Sequence, residues 1–211
     1  MGTGPPMDRA GTEMHADGDA RWQRFMAETA PSAGRATAAP LFGHQALTDF
    51  HRYWSALPRR GGAPADAAFD PLEIAQWTPD MTIMCLAGPD DIRFRLAGTR
   101  VAERMAHDPT GINMLELLAD ASRLQVCRDM HEIAARPCGY HARYVNRYGS
   151  GRVSHVQSLY LPLTPPPGRP PRLVAMHAPE EAMEYQKPAD RSTCATSIDE
   201  IVWIDTGCGT P

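Results

Sequence analysis

The stretch that most constrains the fold runs from Ile92 to Leu118, IRFRLAGTRVAERMAHDPTGINMLELL. Ile92, Phe94 and Leu96 alternate with Arg93 and Arg95, which is the pattern of a half-buried strand. Gly98 stops the strand. Thr99 is placed to cap a short helix in which Val101, Ala102 and Met105 share one face. Asp108-Pro109-Thr110-Gly111 is a strong turn signal, and Asn113 is placed to cap MLELL. Helices this short are marginal alone. The stretch therefore predicts strand, helix, turn and helix held against a larger body.

That body is legible on both sides. Met81 to Ala87 (MTIMCLA) is a nearly all-apolar strand, and Gly88-Pro89-Asp90-Asp91 turns it into the strand that begins at Ile92, so a hairpin is expected. Upstream, Leu47, Phe50, Trp54 and Leu57 recur at helical spacing over 44–57, and Pro58 ends the helix. Asp70 and Pro71 open a second short helix. Downstream, a longer helix spans 122–136 with Val126, Cys127, Met130, Ile133 and Ala134 in one stripe and His131 at its edge. Strands follow at 140–148, 153–163 and 173–178, separated by Gly149-Ser150-Gly151 and by the proline-rich loop 164–171. The order predicts an α+β domain over 41–180, with a five-stranded antiparallel sheet, helices packed on one face and a flanking N-terminal helix. Residues 1–40 are expected to be mostly a mobile tail, apart from a short helix in DARWQRFMAE capped by Asp19. Residues 181–211 read as a C-terminal tail with a late strand at 201–205 (IVWID).

Composition narrows the function. A formal net charge of -4 disfavours a nucleic-acid partner. The five cysteines, Cys85, Cys127, Cys138, Cys194 and Cys208, are odd in number and nowhere at C-x-x-C spacing, which argues against a disulfide framework or a cysteine zinc site. A reduced, cytoplasmic compartment fits best. No apolar leader and no run of about 18 apolar residues is present, so neither a signal peptide nor membrane insertion is expected.

The element order resembles that of PAS domains, and the wording resembles the bacterial stand-alone group PAS_5. The matching phrases are FHRYWSAL at 50–57, FDPLEI at 69–74, RFRLAGTRVAE at 93–103, DPTGINMLELL at 108–118 and LYLPL at 159–163. The resemblance implies a PAS fold and a cytoplasmic, non-catalytic sensory or interaction domain in signal transduction. No kinase, cyclase or DNA-binding module fits in the tails, so output is expected through a signalling partner protein. The resemblance also implies a homodimer, since Phe50 and Trp54 of the flanking helix need burial.

The chemical motifs point the same way. His131-Glu132 opens a zincin pattern, but Ala135 stands where the second histidine belongs. No G-x-S-x-G, P-loop or G-x-G-x-x-G occurs, so no metal and no catalytic residue is expected. Gly111-Ile112-Asn113-Met114 resembles the G-x-N-C of flavin-binding PAS domains with Met114 in place of the reactive cysteine; a thioether cannot form the photochemical adduct. Asn113 is then a flavin contact or simply a helix cap. His131 suits an axial haem ligand by the same resemblance, with Arg143 and Arg147 for propionates; a partly exposed histidine and two solvated arginines are the bland alternative. Neither haem nor flavin is favoured. Tyr140, Tyr144 and Tyr148 form a row on one strand face. A small apolar ligand would be walled by Phe94, Leu96, Val101, Met105, Leu115, Leu118, Met130 and Tyr144, residues equally suited to plain core.

Overall fold

In the computed structural model, residues 20–189 and 191–211 are described, and the chain divides into two units, Met1–Ala30 and Pro31–Pro211. In the first unit, helix α1 is described over 20–28, and the rings of Trp22 and Phe25 stack 4.9 Å apart. Asp19, the expected cap, lies outside the described residues.

The second unit begins with strand β1 (Arg35–Thr37), so this part of the expected tail is ordered into the sheet. Helix α2 (Gln45–Ala56) follows. His44 caps it, its Nδ1 accepting from the Ala46 N–H at 3.2 Å, and the chain leaves the helix before Pro58. A two-residue ribbon pairs β2 (Arg59–Arg60) with β3 (Ala63–Pro64). Helix α3 (Pro71–Ile74) starts where expected, the Asp70 carboxylate accepting from the Leu72 N–H at 2.8 Å.

The hairpin of β4 (Met81–Gly88) and β5 (Asp91–Ala97) forms as its turn residues dictate. Helix α4 (Thr99–Met105) is capped at Gly98 rather than at the expected Thr99. A Cβ on Gly98 would collide with the backbone carbonyls of Thr78 and Pro79, so only glycine lets these segments meet. MLELL forms a single 3-10 turn, Met114–Glu116. Helix α5 (Asp120–Ala135) then leads to strands β6 (Gly139–Arg147), β7 (Arg152–Leu163) and β8 (Arg172–Pro179). A two-residue strand, β9 (Glu184–Tyr185), adds to β7, and the chain ends through β10 (Thr193–Ile204).

The five expected strands lie side by side in the order β5-β4-β8-β7-β6, all antiparallel. The sheet continues past them. β10 pairs with β6 along its length, and β1 runs parallel to β10, Arg35 opposite Val202. The late strand expected at 201–205 is thus the end of a strand of 12 residues. Its apolar end, Ile201 to Ile204, is readable, whereas the irregular part is not: its register shifts between Thr193 and Ser197 and again between Ile198 and Glu200.

Both faces of the sheet are covered. Along β7, Leu159 and Leu161 point to one side and Val156, Ser158 and Tyr160 to the other, as strand geometry requires. The flanking helix α2 covers the first side: Leu47, Phe50 and Trp54 are fully buried against Leu159, Leu161, Val174 and Met176. The Trp54 Nε1–H donates to the Pro162 carbonyl at 3.1 Å. Phe50 and Trp54 are therefore buried within the chain, and the burial need that suggested a homodimer is already met. Helices α4 and α5 stand on the other side.

Truncating Trp54 to alanine removes the largest side chain of this layer. Trp54→Ala is expected to lower the unfolding free energy by about 3–5 kcal/mol in urea denaturation. A loss below about 1 kcal/mol would show that α2 is not docked as described.

Candidate functional site

On the α4–α5 side the packing is incomplete. A cavity of about 80 Å³, measured as space open to the centre of a water-sized sphere, lies between the sheet and the helices. That is more than a single water needs, and leaves room for a small molecule.

The period of two along β6 sends Tyr140, Ala142, Tyr144, Asn146 and Tyr148 into its wall. β7 contributes Val156 and Tyr160, β8 His177, and β4 Thr82 and Met84. The helical side supplies Val101, Arg104 and Met105 from α4, with Val126 and Met130 from α5. Cys194, Ala195 and Ile198 close it from β10. At this point β10 bulges inward. Ala195 takes a left-handed conformation (φ 50°), and its N–H is held by the Asn146 Oδ1 at 3.0 Å.

A chain of hydrogen bonds crosses the otherwise apolar wall. The Tyr144 hydroxyl lies 3.4 Å from that of Tyr160 and 2.7 Å from Ser158 Oγ. Ser158 Oγ is 2.8 Å from His177 Nδ1, and His177 Nε2 is 2.9 Å from Thr82 Oγ1. His177 is deeply enclosed, and the surface it keeps faces the cavity. Burial, helped by the Arg104 charge, pushes its pKa down to about 3. Burial likewise raises Tyr144 and pushes Tyr160 and Cys194 up to about 12. The histidine, the phenols and the thiol are therefore uncharged at neutral pH. The cation on the wall, Arg104, donates to Asp80 at 2.7 Å. Burial raises the Asp80 pKa, but hydrogen bonds from Arg100 and Arg104 outweigh it and carry it below the usual carboxylate value.

The Ser158–His177 contact has the spacing of a nucleophile and its base. However, the group orienting the far side of the imidazole is Thr82 rather than a carboxylate. Ser158 is also fully buried and does not line the cavity. A substrate there would not meet the hydroxyl.

Of the residues expected to wall a ligand, Phe94, Val101, Met105, Leu118, Met130 and Tyr144 do line the cavity. Leu96 does not. The β4–β5 register shifts between Ile83 and Met84, so Phe94 opposes Met84 while Leu96 opposes Ile83 on the other face. The extra residue, Arg95, breaks the alternation, and Leu96 is left 37% exposed. Leu115 is buried but faces a surface groove with Asp90, Leu124 and Cys127; Met114 lines the cavity instead.

The residues considered for a cofactor are not brought together. His131 lies off the cavity, its Nε2 3.2 Å from the Pro89 carbonyl, and burial pushes its pKa down to about 4. Arg143 sits on the opposite face of β6 beside Glu180, at 3.2 Å. Arg147, at the end of the same strand, is exposed. Asn113 acts as a clip: its Oδ1 accepts from the Ile92 and Leu115 N–H groups at 3.2 Å, and its Nδ2 donates to the Asp90 carbonyl at 2.7 Å. Among the described residues, no group of three or more His, Cys, Asp or Glu is arranged to hold a metal ion.

Sequence reasoning missed His177, Thr82, Tyr160, Asn146 and the β10 wall. One signal was available: His177 is an isolated polar residue in LVAMHA, a strand that otherwise reads as buried, and buried polar groups need partners.

An antiparallel sheet in the order β5-β4-β8-β7-β6, with helices over a cavity on one face, makes this an α+β domain. The chain belongs to the PAS_5 family, described as a PAS domain, whose family model matches residues 42–177. Comparison with curated proteins and with solved structures finds no significant match. The matched span ends at His177, so β10, with its cavity-lining residues, lies beyond it. Among the described residues, no helix is long and apolar enough to cross a membrane.

The depressed pKa of His177 has a calculable sign. The unfolded histidine binds a proton near its ordinary value of 6.5, and the folded one does not until about 3. Its contribution to stability is therefore fully present above about pH 6.5 and is lost as pH falls toward 3. Unfolding free energies measured between pH 7 and 5 should decline for the native chain. His177→Gln should make that decline shallower, by up to about 1.4 kcal/mol per pH unit. An unchanged slope would place the histidine in water.

Proposed function

We propose that this PAS domain is a non-catalytic sensor whose signal is a small molecule held in the cavity. The cavity itself carries this reading: it combines apolar walls with a few convergent polar groups, which is the composition of small-molecule sites. Non-catalysis is supported by the burial of Ser158 behind the wall and by the absence of a carboxylate partner for His177 among its hydrogen bonds.

The signal leaves through β10. This strand lines the cavity at Cys194, Ala195 and Ile198 and also holds the turn before α5. The Cys194 N–H donates to the Leu117 carbonyl at 2.7 Å, and the Ala119 N–H to the Cys194 carbonyl at 3.0 Å. An occupant that moves Cys194 moves that turn with it. Output then passes to a partner protein in a signalling pathway. A second copy of this chain has lost the argument from α2. The described cysteines carry free thiols, which suits a reducing, cytoplasmic setting.

Native mass spectrometry of the purified protein is expected to show a small co-purified molecule that is lost on Met130→Trp, a substitution that fills the cavity. An absorption spectrum should show only aromatic bands. A Soret or flavin band would overturn the chromophore-free reading, and robust turnover in a hydrolase screen would overturn non-catalysis.

A further inference from the structure

The hydrogen-bond chain on the wall can be counted. Tyr160, Tyr144, Ser158, neutral His177 and Thr82 each bring one hydrogen. The links between them are Tyr160–Tyr144, Tyr144–Ser158, Ser158–His177 and His177–Thr82. Five hydrogens serve four links, so one remains over whichever way the chain is polarised. It falls on Tyr160, Tyr144, Ser158 or Thr82, and the two ends of the chain, Tyr160 and Thr82, line the cavity.

The two ends differ. Thr82 is 2.9 Å from its neighbour, an ordinary hydrogen bond. Tyr160 is more than nine-tenths buried, yet its link to Tyr144 is 3.4 Å, beyond the usual 2.5–3.0 Å for paired hydroxyls. A buried phenol held this loosely is costly unless something else accepts from it. Charge is also accounted for. Arg104 is engaged by Asp80, so an anion in the cavity would have to compete with that carboxylate for it.

Building on the sensor reading above, we propose that the cavity takes a small uncharged, mainly apolar molecule bearing one hydrogen-bond-accepting oxygen, and that the Tyr160 hydroxyl donates to that oxygen. Ketones, aldehydes and ethers of ring size have this chemistry. The rest of the ligand rests on Phe94 and on Met84, Met105 and Met130, whose flexible thioethers adapt to its outline.

Three probes of similar shape test this by nuclear magnetic resonance titration of the full chain: cyclohexanone, methylenecyclohexane and cyclohexanecarboxylate. Cyclohexanone should bind about tenfold tighter than methylenecyclohexane, the usual worth of one satisfied hydrogen bond. The carboxylate should bind more weakly than either. In Tyr160→Phe the preference for the ketone should vanish while the affinity for methylenecyclohexane holds. In Thr82→Val the preference should persist. Equal binding of ketone and alkene by the native chain overturns the ligand class and leaves the sensor reading standing. So does tighter binding of the carboxylate. A preference kept in Tyr160→Phe and lost in Thr82→Val overturns the assignment to Tyr160. If no probe shifts a cavity resonance, both this inference and the sensor reading fall.

Discussion

Strands β7 and β8 sit in the middle of a seven-strand path, and neither of their faces can be left to water. Leu159, Leu161, Val174 and Met176 on one side are as apolar as Val156 and Ala175 on the other. Two layers must therefore cover the sheet, and the chain supplies them from different places. α2 comes before the strands and lies flat on one side with a tryptophan, a phenylalanine and a leucine fully buried. α4 and α5 come from within the strand order and cover the other. The first layer closes completely. The second combines α5 with two short elements, a helix of 7 residues and one 3-10 turn, and the cavity lies between them and the sheet.

Local order was legible wherever one rule sufficed. Pro58 and Asp70 placed helix ends, the Gly88 to Asp91 turn placed the hairpin, and the alternation of β6 placed its tyrosines on one side. Features arising from two competing rules were not. Leu96 follows Phe94 at the spacing that predicts a shared face, yet a single inserted residue opposite Ile83 sends it to the other. Nothing in FRLA signals this, because a bulge is set by how the partner strand pairs. Thr99 is a better cap by residue type than Gly98, but the approach of the Thr78 and Pro79 carbonyls leaves no room for a Cβ, and sterics win. Asn113 was readable as a cap; that it also binds β5 was not, since Ile92 and Asp90 are brought to it only by the fold.

The candidate site was half legible for a similar reason. Apolar residues at regular spacing announce that they are buried, not whether they meet one another. Six of the eight expected wall residues meet at the cavity because they lie on elements whose facing side is fixed by period alone. The hydrogen-bonded chain was harder to read because its members lie on separate strands, with Thr82 on β4, Ser158 on β7 and His177 on β8. Together they keep a histidine neutral in the interior, where hydrogen bonds with hydroxyl groups satisfy both of its nitrogens.

The final strand has one more consequence. A sheet that stopped at β6 would present a nine-residue edge of unpaired amides and carbonyls, the kind of template on which other chains accumulate. β10 occupies that edge, and β1 in turn pairs with its last three residues, Val202 to Ile204. At the opposite end, the backbone of Gly111 and Ile112 bonds to Phe94 and blunts β5. The segment beyond the matched PAS span thus has two uses: a strand that shapes the cavity on its inner face also shields the long edge of β6.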